Sequence, residues 1–214
     1  MKIFIAGDST AANKQLNKHT ESGWGEFLKD FIAPGIDVRN YAVSKSSTRS
    51  FIAEGRLFQI ETEIEENDLL LIQFGHNDLK DDPQRHTHPE TDYLDNLERF
   101  AVTATSCHAT PIFLSPITKR IFNNNHLETH TVGDYPNAMK SFCEKHNYPF
   151  IDMYKISQRI ISKLGENDSK KMYHYLLPDE NKNYPDGISD DTNLSTYGAK
   201  IYASIIAIEL RKYI

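Results

Sequence analysis

The sequence predicts an α/β fold, a three-layer sandwich in which helices cover both faces of a five-stranded parallel sheet. Five short apolar runs, each bounded by Gly, Pro, Asn or Asp, are typical of strands buried on both faces. Helix-length segments separate these runs, and such alternation produces right-handed βαβ units. With 214 residues, 39% hydrophobic and 25% charged, the chain is long enough for one continuous core. We expect a single domain over residues 1–214.

The predicted strands occupy residues 2–6, 37–43, 68–74, 111–115 and 148–153. One helix is predicted from an apolar face that comprises Tyr93, Leu97, Phe100, Ala101 and Ala104. The last helix is predicted to begin at the N-cap Ser195 and to carry a stripe of Tyr197, Ile201, Ile205 and Ile208. Three long loops, 78–91, 116–134 and 177–192, are expected to frame a cleft at the carboxyl ends of the strands.

Composition excludes several classes of protein. A net charge of −6, without any run of Lys or Arg, argues against nucleic acid as a partner. No stretch approaches the roughly 20 apolar residues that a membrane-spanning helix needs. Met1 and Lys2 lead directly into the first predicted strand, so we expect no secretory leader. Cys107 and Cys143 lie on separate predicted helices and lack metal-ligand spacing. We therefore expect free thiols and a cytoplasmic protein.

The first strand runs directly into Gly7-Asp8-Ser9-Thr10. Ser9 is thereby placed at the carboxyl edge of the sheet, near the N-terminus of a following helix whose N–H groups favour developing negative charge. A serine in that position is a candidate nucleophile. The same tetrapeptide is also typical of an ordinary helix N-cap after a strand.

The third predicted strand ends in Gln73-Phe74-Gly75-His76-Asn77-Asp78. Gly75 permits a tight turn, and the Asn77 amide can donate hydrogen bonds into the cleft, where a side-chain donor stabilises an oxyanion. A polar turn with an Asx motif is the alternative. Because both motifs follow neighbouring strands, the catalytic interpretation is favoured over two unrelated turns.

A third motif, Asp190-Asp191-Thr192-Asn193, precedes the last predicted helix. Asp190 can serve as the carboxylate that orients the base of a serine triad. Asn193 stands where that base belongs, and an amide has no titratable nitrogen with which to take a proton.

These motifs resemble, in order and approximate spacing, those of the SGNH (GDSL-type) hydrolases. Residues 40–51, Glu54-Gly55-Arg56 and Gly133-Asp134-Tyr135-Pro136 resemble the rhamnogalacturonan acetylesterase branch in particular, and the likeness covers nearly the whole chain. The resemblance implies deacetylation of a pectin-type oligosaccharide with neither a metal nor an organic cofactor.

Residue by residue, the resemblance implies that Ser9 is the nucleophile and that the oxyanion is held by the N–H groups of Ser9 and Lys45 and by the Asn77 side chain. Asp190 matches the carboxylate, and Asn193 occupies the position of the catalytic histidine. The same motifs contain four more residues that are expected to support the site or to contact substrate: Asp8, Gly75, His76 and Tyr135.

The chain departs from the family at two positions. Lys45 replaces a glycine, so that a lysine stands where positive φ or room for substrate is expected; the alternative is a cation placed beside the oxyanion or an acidic sugar. Asn193 replaces the base, and loss of the base costs on the order of 10⁶ in kcat in subtilisin.

Three explanations of Asn193 stay open: an engineered His→Asn change, a natural loss that leaves a binding protein, or a substitute base. The substitute must lie within about 3 Å of the serine oxygen. The candidates are Asp190, Asp191, His86, His88, His126 and His130. These loop histidines are otherwise expected to be solvated or to bind substrate hydroxyls. Because Lys45 also differs, natural divergence is favoured over one engineered change.

Two further interpretations concern the same region. Asp8, His76 and Asp78 repeat no metal-ligand spacing, so no metal site is predicted. Four tyrosines are candidates for stacking on sugars, Tyr135 before the others, which are Tyr173, Tyr175 and Tyr184. Trp24 is expected to pack under the Ser9 turn instead.

Together these observations predict a flavodoxin-like sandwich with strand order 2-1-3-4-5. The predicted function is that of a carbohydrate O-acetylesterase that forms an acetyl-enzyme on Ser9. A protein that binds acidic oligosaccharides and has lost turnover is the alternative. A third hypothesis is an esterase or thioesterase for longer acyl chains, but the polar loops argue against it. The expected partner is an oligosaccharide or other small ester, not nucleic acid or a membrane.

Overall fold

Five parallel strands form the central sheet of this computed structural model, which describes residues 1–14 and 20–214. They are β1 (Lys2–Gly7), β3 (Asp37–Asn40), β4 (Leu69–Gln73), β5 (Thr110–Leu114) and β8 (Phe150–Ile151). The spatial order is β3-β1-β4-β5-β8, with every neighbouring pair parallel. This is the predicted order 2-1-3-4-5, so the α/β sandwich prediction is confirmed.

Helices cover both faces of the sheet. They are α1 (Thr48–Ala53), α2 (Arg56–Glu61), α3 (Asp92–Thr105), α4 (Tyr135–His146), α5 (Met153–Asp168, interrupted at Gly165) and α6 (Thr196–Leu210). Alternate residues of β1 enter two separate hydrophobic clusters: Ile3 and Ile5 pack with α5 and α6, whereas Phe4 and Ala6 pack with α1–α4. The period of two along a buried strand thus builds both sides of the core.

Two of the predicted strands are much shorter than expected. In the segment predicted as 37–43, regular strand ends at Asn40, whose side-chain oxygen accepts the N–H of Ala42 at 3.0 Å, although the N–H of Tyr41 still donates to the Ile5 carbonyl of β1 at 2.9 Å. The segment predicted as 148–153 pairs only at Phe150–Ile151. Asp152 then caps α5 by accepting the N–H of Lys155 at 3.1 Å, so Met153 is already helical.

The two predicted helix faces differ in outcome. The face predicted for α3 is fully buried. The stripe predicted for α6 is wrong, because Tyr197 and Ile208 are 52% and 56% exposed. The buried face of α6 comprises Ala199, Tyr202, Ala203, Ile206 and Leu210. This helix is apolar on more than one side, so the isoleucine spacing alone did not indicate which side packs. Ser195 is its N-cap and accepts the N–H of Gly198 at 3.0 Å.

Two small antiparallel sheets lie outside the five predicted strands. One has the order β2-β10-β9 and comprises β2 (Glu21–Ser22), β9 (Tyr173–Leu176) and β10 (Ile188–Ser195). The other is a hairpin of β6 (Phe122–Asn123) and β7 (His126–Leu127) within the predicted loop 116–134. The predicted loop 177–192 therefore ends inside β10, and a bulge lies between Asp190 and Leu194.

Both cysteines are free thiols: Cys143 is buried on α4, and Cys107 follows the end of α3. Across the described residues, no helix is long and apolar enough to cross a bilayer. The same residues contain no group of three or more His, Cys, Asp or Glu side chains that could hold a metal ion.

Candidate active site

An open pocket of about 470 Å³ lies at the carboxyl ends of β1 and β4. It is lined by seven residues that the sequence singled out: Asp8, Ser9, Lys45, His76, Asn77, Asp190 and Asn193. A larger groove, of about 600 Å³, lies between α3 and α4 and contains none of them. The residues predicted to carry the chemistry therefore lie together in the pocket at β1.

Ser9 lies in a tight turn directly after β1. The Asp8 carboxylate fixes this turn, because its Oδ1 accepts the backbone N–H of Thr10 at 2.9 Å and the Thr10 hydroxyl at 2.8 Å. The helix expected after Ser9 is absent from this stretch, since residues 9–12 form only a turn. Ser9 Oγ accepts a hydrogen bond from the N–H of Lys45 at 2.9 Å.

His76 holds the Ser9 turn in place through its contact with Asp8. Its Nδ1 lies 3.0 Å from Asp8 Oδ2, and its Nε2 donates to the carbonyl oxygen of Ile117 at 2.7 Å. The Ile117 carbonyl can only accept, so Nε2 carries the hydrogen of that bond. Burial alone raises the pKa of Asp8, but the neighbouring His76 and the Thr10 donors hold it below its usual value. His76 is thereby engaged on both nitrogens and is not free to serve Ser9.

Trp24 packs against the same turn from the side of the core. Its Nε1 donates to Gln73 Oε1 at 2.7 Å, and its backbone N–H donates to the Thr10 carbonyl at 2.9 Å. The preceding Gly23 approaches so closely that a Cβ there would lie 2.2 Å from the carbonyl oxygen of Ala12. The two hydrogen bonds of Trp24 therefore join the Ser9 turn to the end of β4.

Lys45 has a left-handed backbone, with φ of 70°. This is the conformation that a glycine would adopt without strain, and in a lysine it costs about 1–2 kcal/mol. The backbone N–H nevertheless points at Ser9 Oγ. The side chain is exposed and lines the pocket, so the lysine adds a cation to the pocket in addition to the strain in its own backbone.

Asn77 is buried, with its amide orientation fixed. Nδ2 donates one hydrogen to the carbonyl of Ser46 at 2.9 Å, which leaves its second hydrogen for the pocket. Gly75, two residues before it, has φ of 146° and would meet Pro116 with any Cβ. Gly75 therefore shapes the turn behind the pocket rather than its lining.

Tyr135 does not stack on a sugar, contrary to the expectation. It is 2% exposed, and its hydroxyl donates to the carbonyl oxygens of Asp78 and Thr87. The ring is therefore enclosed in the core, where it joins loop 78–91 to α4. Tyr173 is likewise buried and donates to the Thr118 carbonyl at 2.6 Å.

The bulge in β10 brings Asn193 back onto Asp190. Asn193 Nδ2 donates to Asp190 Oδ2 at 2.6 Å, while Asp190 Oδ1 accepts the N–H groups of Thr192 at 2.8 Å and Asn193 at 2.9 Å. Burial alone raises the pKa of Asp190, but these hydrogen bonds keep it below its usual value. Asp190 is consequently a weak base, and these bonds hold its side chain to the bulge.

None of the other candidate bases reaches the pocket. Asp191 Oδ1 accepts from Arg120 Nε at 2.7 Å and from the Tyr175 hydroxyl. The four loop histidines expected as candidates lie outside the pocket lining: His86, His88, His126 and His130. Among the described residues, His76 is the one histidine in the lining.

Several residues of the site were not predicted from the sequence. Lys80, Arg85 and Lys119 line the pocket, and they lie in or next to the long loops that were expected to frame the cleft. His174 lies on β9 opposite Asp190 and contributes to lowering its pKa. The position of the three cations in the predicted loops could have indicated that they line the cleft. The pairing of His174 with Asp190 depends on the sheet of β9 and β10, which the sequence did not predict.

The fold and the site were then compared with known proteins. The family model described as GDSL-like Lipase/Acylhydrolase matches residues 3–206. Rhamnogalacturonan acetylesterase RhgT from Bacillus subtilis (strain 168) is 38% identical over 207 residues, which are 97% of this chain and 88% of that protein. Probable rhamnogalacturonan acetylesterase YesY from the same strain is 33% identical over 206 residues, 96% of this chain and 90% of its own.

Solved structures agree on the fold. A catalytic mutant of Axe2, an acetylxylan esterase from Geobacillus stearothermophilus, matches with a TM-score of 0.68 at 17% identity over 98% of this chain and 94% of that one. A Bacillus subtilis protein matches with a TM-score of 0.79 at 23% identity over 99% of this chain. This chain spans only 56% of the length of that second protein.

Proposed function

This chain belongs to the GDSL-like lipase/acylhydrolase family. We propose that it has the site of a carbohydrate O-acetylesterase and that Asn193 limits its turnover. The substrate class is an acetylated oligosaccharide of the rhamnogalacturonan type, by analogy with the two Bacillus subtilis relatives. The observation that carries the proposal is the pocket in which Ser9, the Lys45 N–H and Asn77 converge.

In the proposed reaction, Ser9 Oγ attacks the acetyl carbonyl carbon, and the carbonyl oxygen becomes an oxyanion. The N–H groups of Ser9 and Lys45 and the free hydrogen of Asn77 Nδ2 stabilise it. Collapse expels the sugar hydroxyl and leaves an acetyl group on Ser9, which water hydrolyses to acetate. No step requires a metal or an organic cofactor.

Asn193 limits the proposed reaction at its first proton transfer. The proton of Ser9 must leave as the new bond forms, and a triad imidazole would accept it. An amide oxygen can accept a hydrogen bond but takes no proton near neutral pH. General-base catalysis typically contributes about 10²–10⁴ in rate, so the hydrolysis by this chain is expected to be slow.

A second candidate function is binding without turnover. It is supported by the bonds of the Asp190 side chain to Thr192 and Asn193, which hold the bulge at the pocket although no imidazole is present. In this case the chain would retain the sugar and its acetyl group without cleavage.

Acetate release from acetylated rhamnogalacturonan oligosaccharides separates these functions. We expect Asn193→His to release acetate much faster than the parent, and Ser9→Ala added to that variant to abolish the gain. Slow release by the parent that Ser9→Ala also removes would support the esterase. Tight binding of the oligosaccharide by the parent, with no release by either protein, would favour the binding function.

A further inference from the structure

A buried lysine outside the lining of the Ser9 pocket takes no part in the reaction proposed above. The side chain of Lys14 is 5% exposed, and its Nζ donates to Ser44 Oγ at 2.6 Å. The carboxylate of Glu21 on β2, itself 13% exposed, lies 3.8 Å from the same Nζ. Burial lowers the pKa of Lys14, and the charge of Glu21 opposes that shift. The ammonium group is therefore held inside the fold by these two partners.

Lys14 contacts the segment that carries a proposed oxyanion donor, residues 43–46, which we call the donor loop. Ser44, the acceptor of its bond, directly precedes Lys45, and the N–H of Lys45 donates to Ser9 Oγ at 2.9 Å. The backbone of Lys45 is strained, with φ of 70°. Such a conformation persists only where the surrounding contacts over-determine it. The bond from Lys14 is one of these contacts and lies one residue away from the strain.

Two further hydrogen bonds hold the donor loop, and both come from the motifs that follow the strands. The N–H of Val43 donates to the Gly7 carbonyl at 3.1 Å, and the Ser46 carbonyl accepts Asn77 Nδ2 at 2.9 Å. Both bonds join neutral groups. Lys14 adds a charge-assisted bond between them, and such bonds are about twice as strong as neutral ones.

The segment that carries Lys14 is anchored to both sheets. Asn40, the last residue of β3, donates from Nδ2 to the Ala11 carbonyl at 2.8 Å and to Asn13 Oδ1 at 2.7 Å. On the other side, Glu21 belongs to β2, which pairs with β10, the strand that contains the bulge. The ammonium group thus reaches the donor loop from a position that is fixed on two sides.

We propose that Lys14 is a positioning residue, whose bond to Ser44 holds the Lys45 N–H in the place where the oxyanion forms. The inference rests on the proposed function and adds to its oxyanion hole a residue outside the site motifs. Without the bond, the donor loop relaxes from its strained conformation and the N–H leaves that place. Because this N–H stabilises charge that develops in the transition state, the bond acts on kcat rather than on substrate binding.

Hydrogen exchange of the Lys45 amide, followed by NMR of the intact chain, tests this bond without turnover. Lys14→Met removes the ammonium group and keeps an unbranched stem, and Ser44→Ala removes the acceptor. We expect each change to speed exchange at Lys45 about tenfold, and the double variant to exchange no faster than Lys14→Met, since both changes remove one bond. The Tyr41 amide, which donates to the Ile5 carbonyl at 2.9 Å, is the internal reference and should not change.

Lys163→Met is the matched control, because it removes the same charge from an exposed position on α5. It should leave exchange at both amides as in the parent. Unchanged exchange at Lys45 in Lys14→Met or in Ser44→Ala would overturn the proposal. Equal acceleration at Tyr41 would overturn it as well, because the effect would then be a general loss of stability.

Kinetics separate positioning from binding. In the Asn193→His variant, the addition of Lys14→Met should lower kcat for acetate release about tenfold and leave KM unchanged. A rise in KM with kcat unchanged would contradict a positioning role. If Asn193→His itself releases no acetate, the proposed function fails, whereas hydrogen exchange still decides whether Lys14 holds the donor loop.

Discussion

Asn193 donates from Nδ2 to Oδ2 of Asp190 at 2.6 Å, the contact through which a triad histidine would be oriented by its carboxylate. The other end of the Asn193 amide, Oδ1, is buried and has no hydrogen-bond partner among the described residues. Under the proposed function, Asn193 keeps the hydrogen bond to the carboxylate that orients the base of a triad but cannot accept a proton from Ser9.

The backbone at Lys45 gives a prediction about stability. Lysine at φ of 70° is strained, and glycine is not, so Lys45→Gly should raise the free energy of unfolding by about 1 kcal/mol. For a chain of this length, that corresponds to a rise of about 2–4 °C in Tm. Thermal unfolding measures it. Lys163→Gly, inside the helix α5, should lower Tm, and a fall in Tm for Lys45→Gly as well would refute the strain.

Asp78 gives a prediction about pH. Burial raises its pKa from the ordinary value of 3.8 to about 7, so the folded chain binds a proton that the unfolded chain has released between these two values. Stability contributed by Asp78 is therefore fully present below about pH 4 and is lost as pH rises to about 7, by up to about 4 kcal/mol.

Asp78→Asn removes this titration and keeps an oxygen that can accept from Thr48 and Thr87. Urea unfolding at intervals from pH 4 to pH 8 should show a flatter profile for the variant than for the parent. At pH 8 the variant should be at least as stable as the parent. Parallel profiles for the two proteins would mean that Asp78 does not carry the effect.

Arg120 gives a prediction about how the β10 bulge is held. Its buried guanidinium donates to Asp191 at 2.7 Å, to the Glu166 carbonyl at 2.7 Å and to the Tyr175 hydroxyl at 2.7 Å. Arg120→Ala removes one donor from each of these groups, although the Tyr175 hydroxyl still donates to Asp191, and should cost about 3 kcal/mol in urea unfolding.

Arg56→Ala is the matched control for Arg120. Arg56 pairs with Glu54 at 2.9 Å in a partly exposed position, and loss of such a pair should cost less than about 1 kcal/mol. Similar losses in the two variants would show that the Arg120 contacts do not hold the bulge.

The sequence predicted the parts of the fold that local patterns determine. Ile3 and Ile5 on one side of β1 and Phe4 and Ala6 on the other make it a strand buried on both faces, and Gly7 ends it before Ser9. Motifs that follow strand ends were likewise visible, because the carboxyl ends of parallel strands meet at one edge.

Features that depend on distant partners were not predictable in this way. The strand β10 is polar and only partly buried, so it lacks the alternation that marks a strand. Tyr135 is buried because the carbonyls of Asp78 and Thr87, far along the chain, accept its hydroxyl. Lys80 and Lys119 line one pocket because two loops, distant in the sequence, meet in the fold.

The value of kcat for p-nitrophenyl acetate, measured in the parent and in Asn193→His, tests most directly whether the chain lacks a proton acceptor for Ser9. We predict a rise of about 10³-fold in the variant, abolished when Ser9→Ala is added. A parent that already turns over as fast as the variant, with its rate lost in Ser9→Ala, would show instead that another group accepts the Ser9 proton.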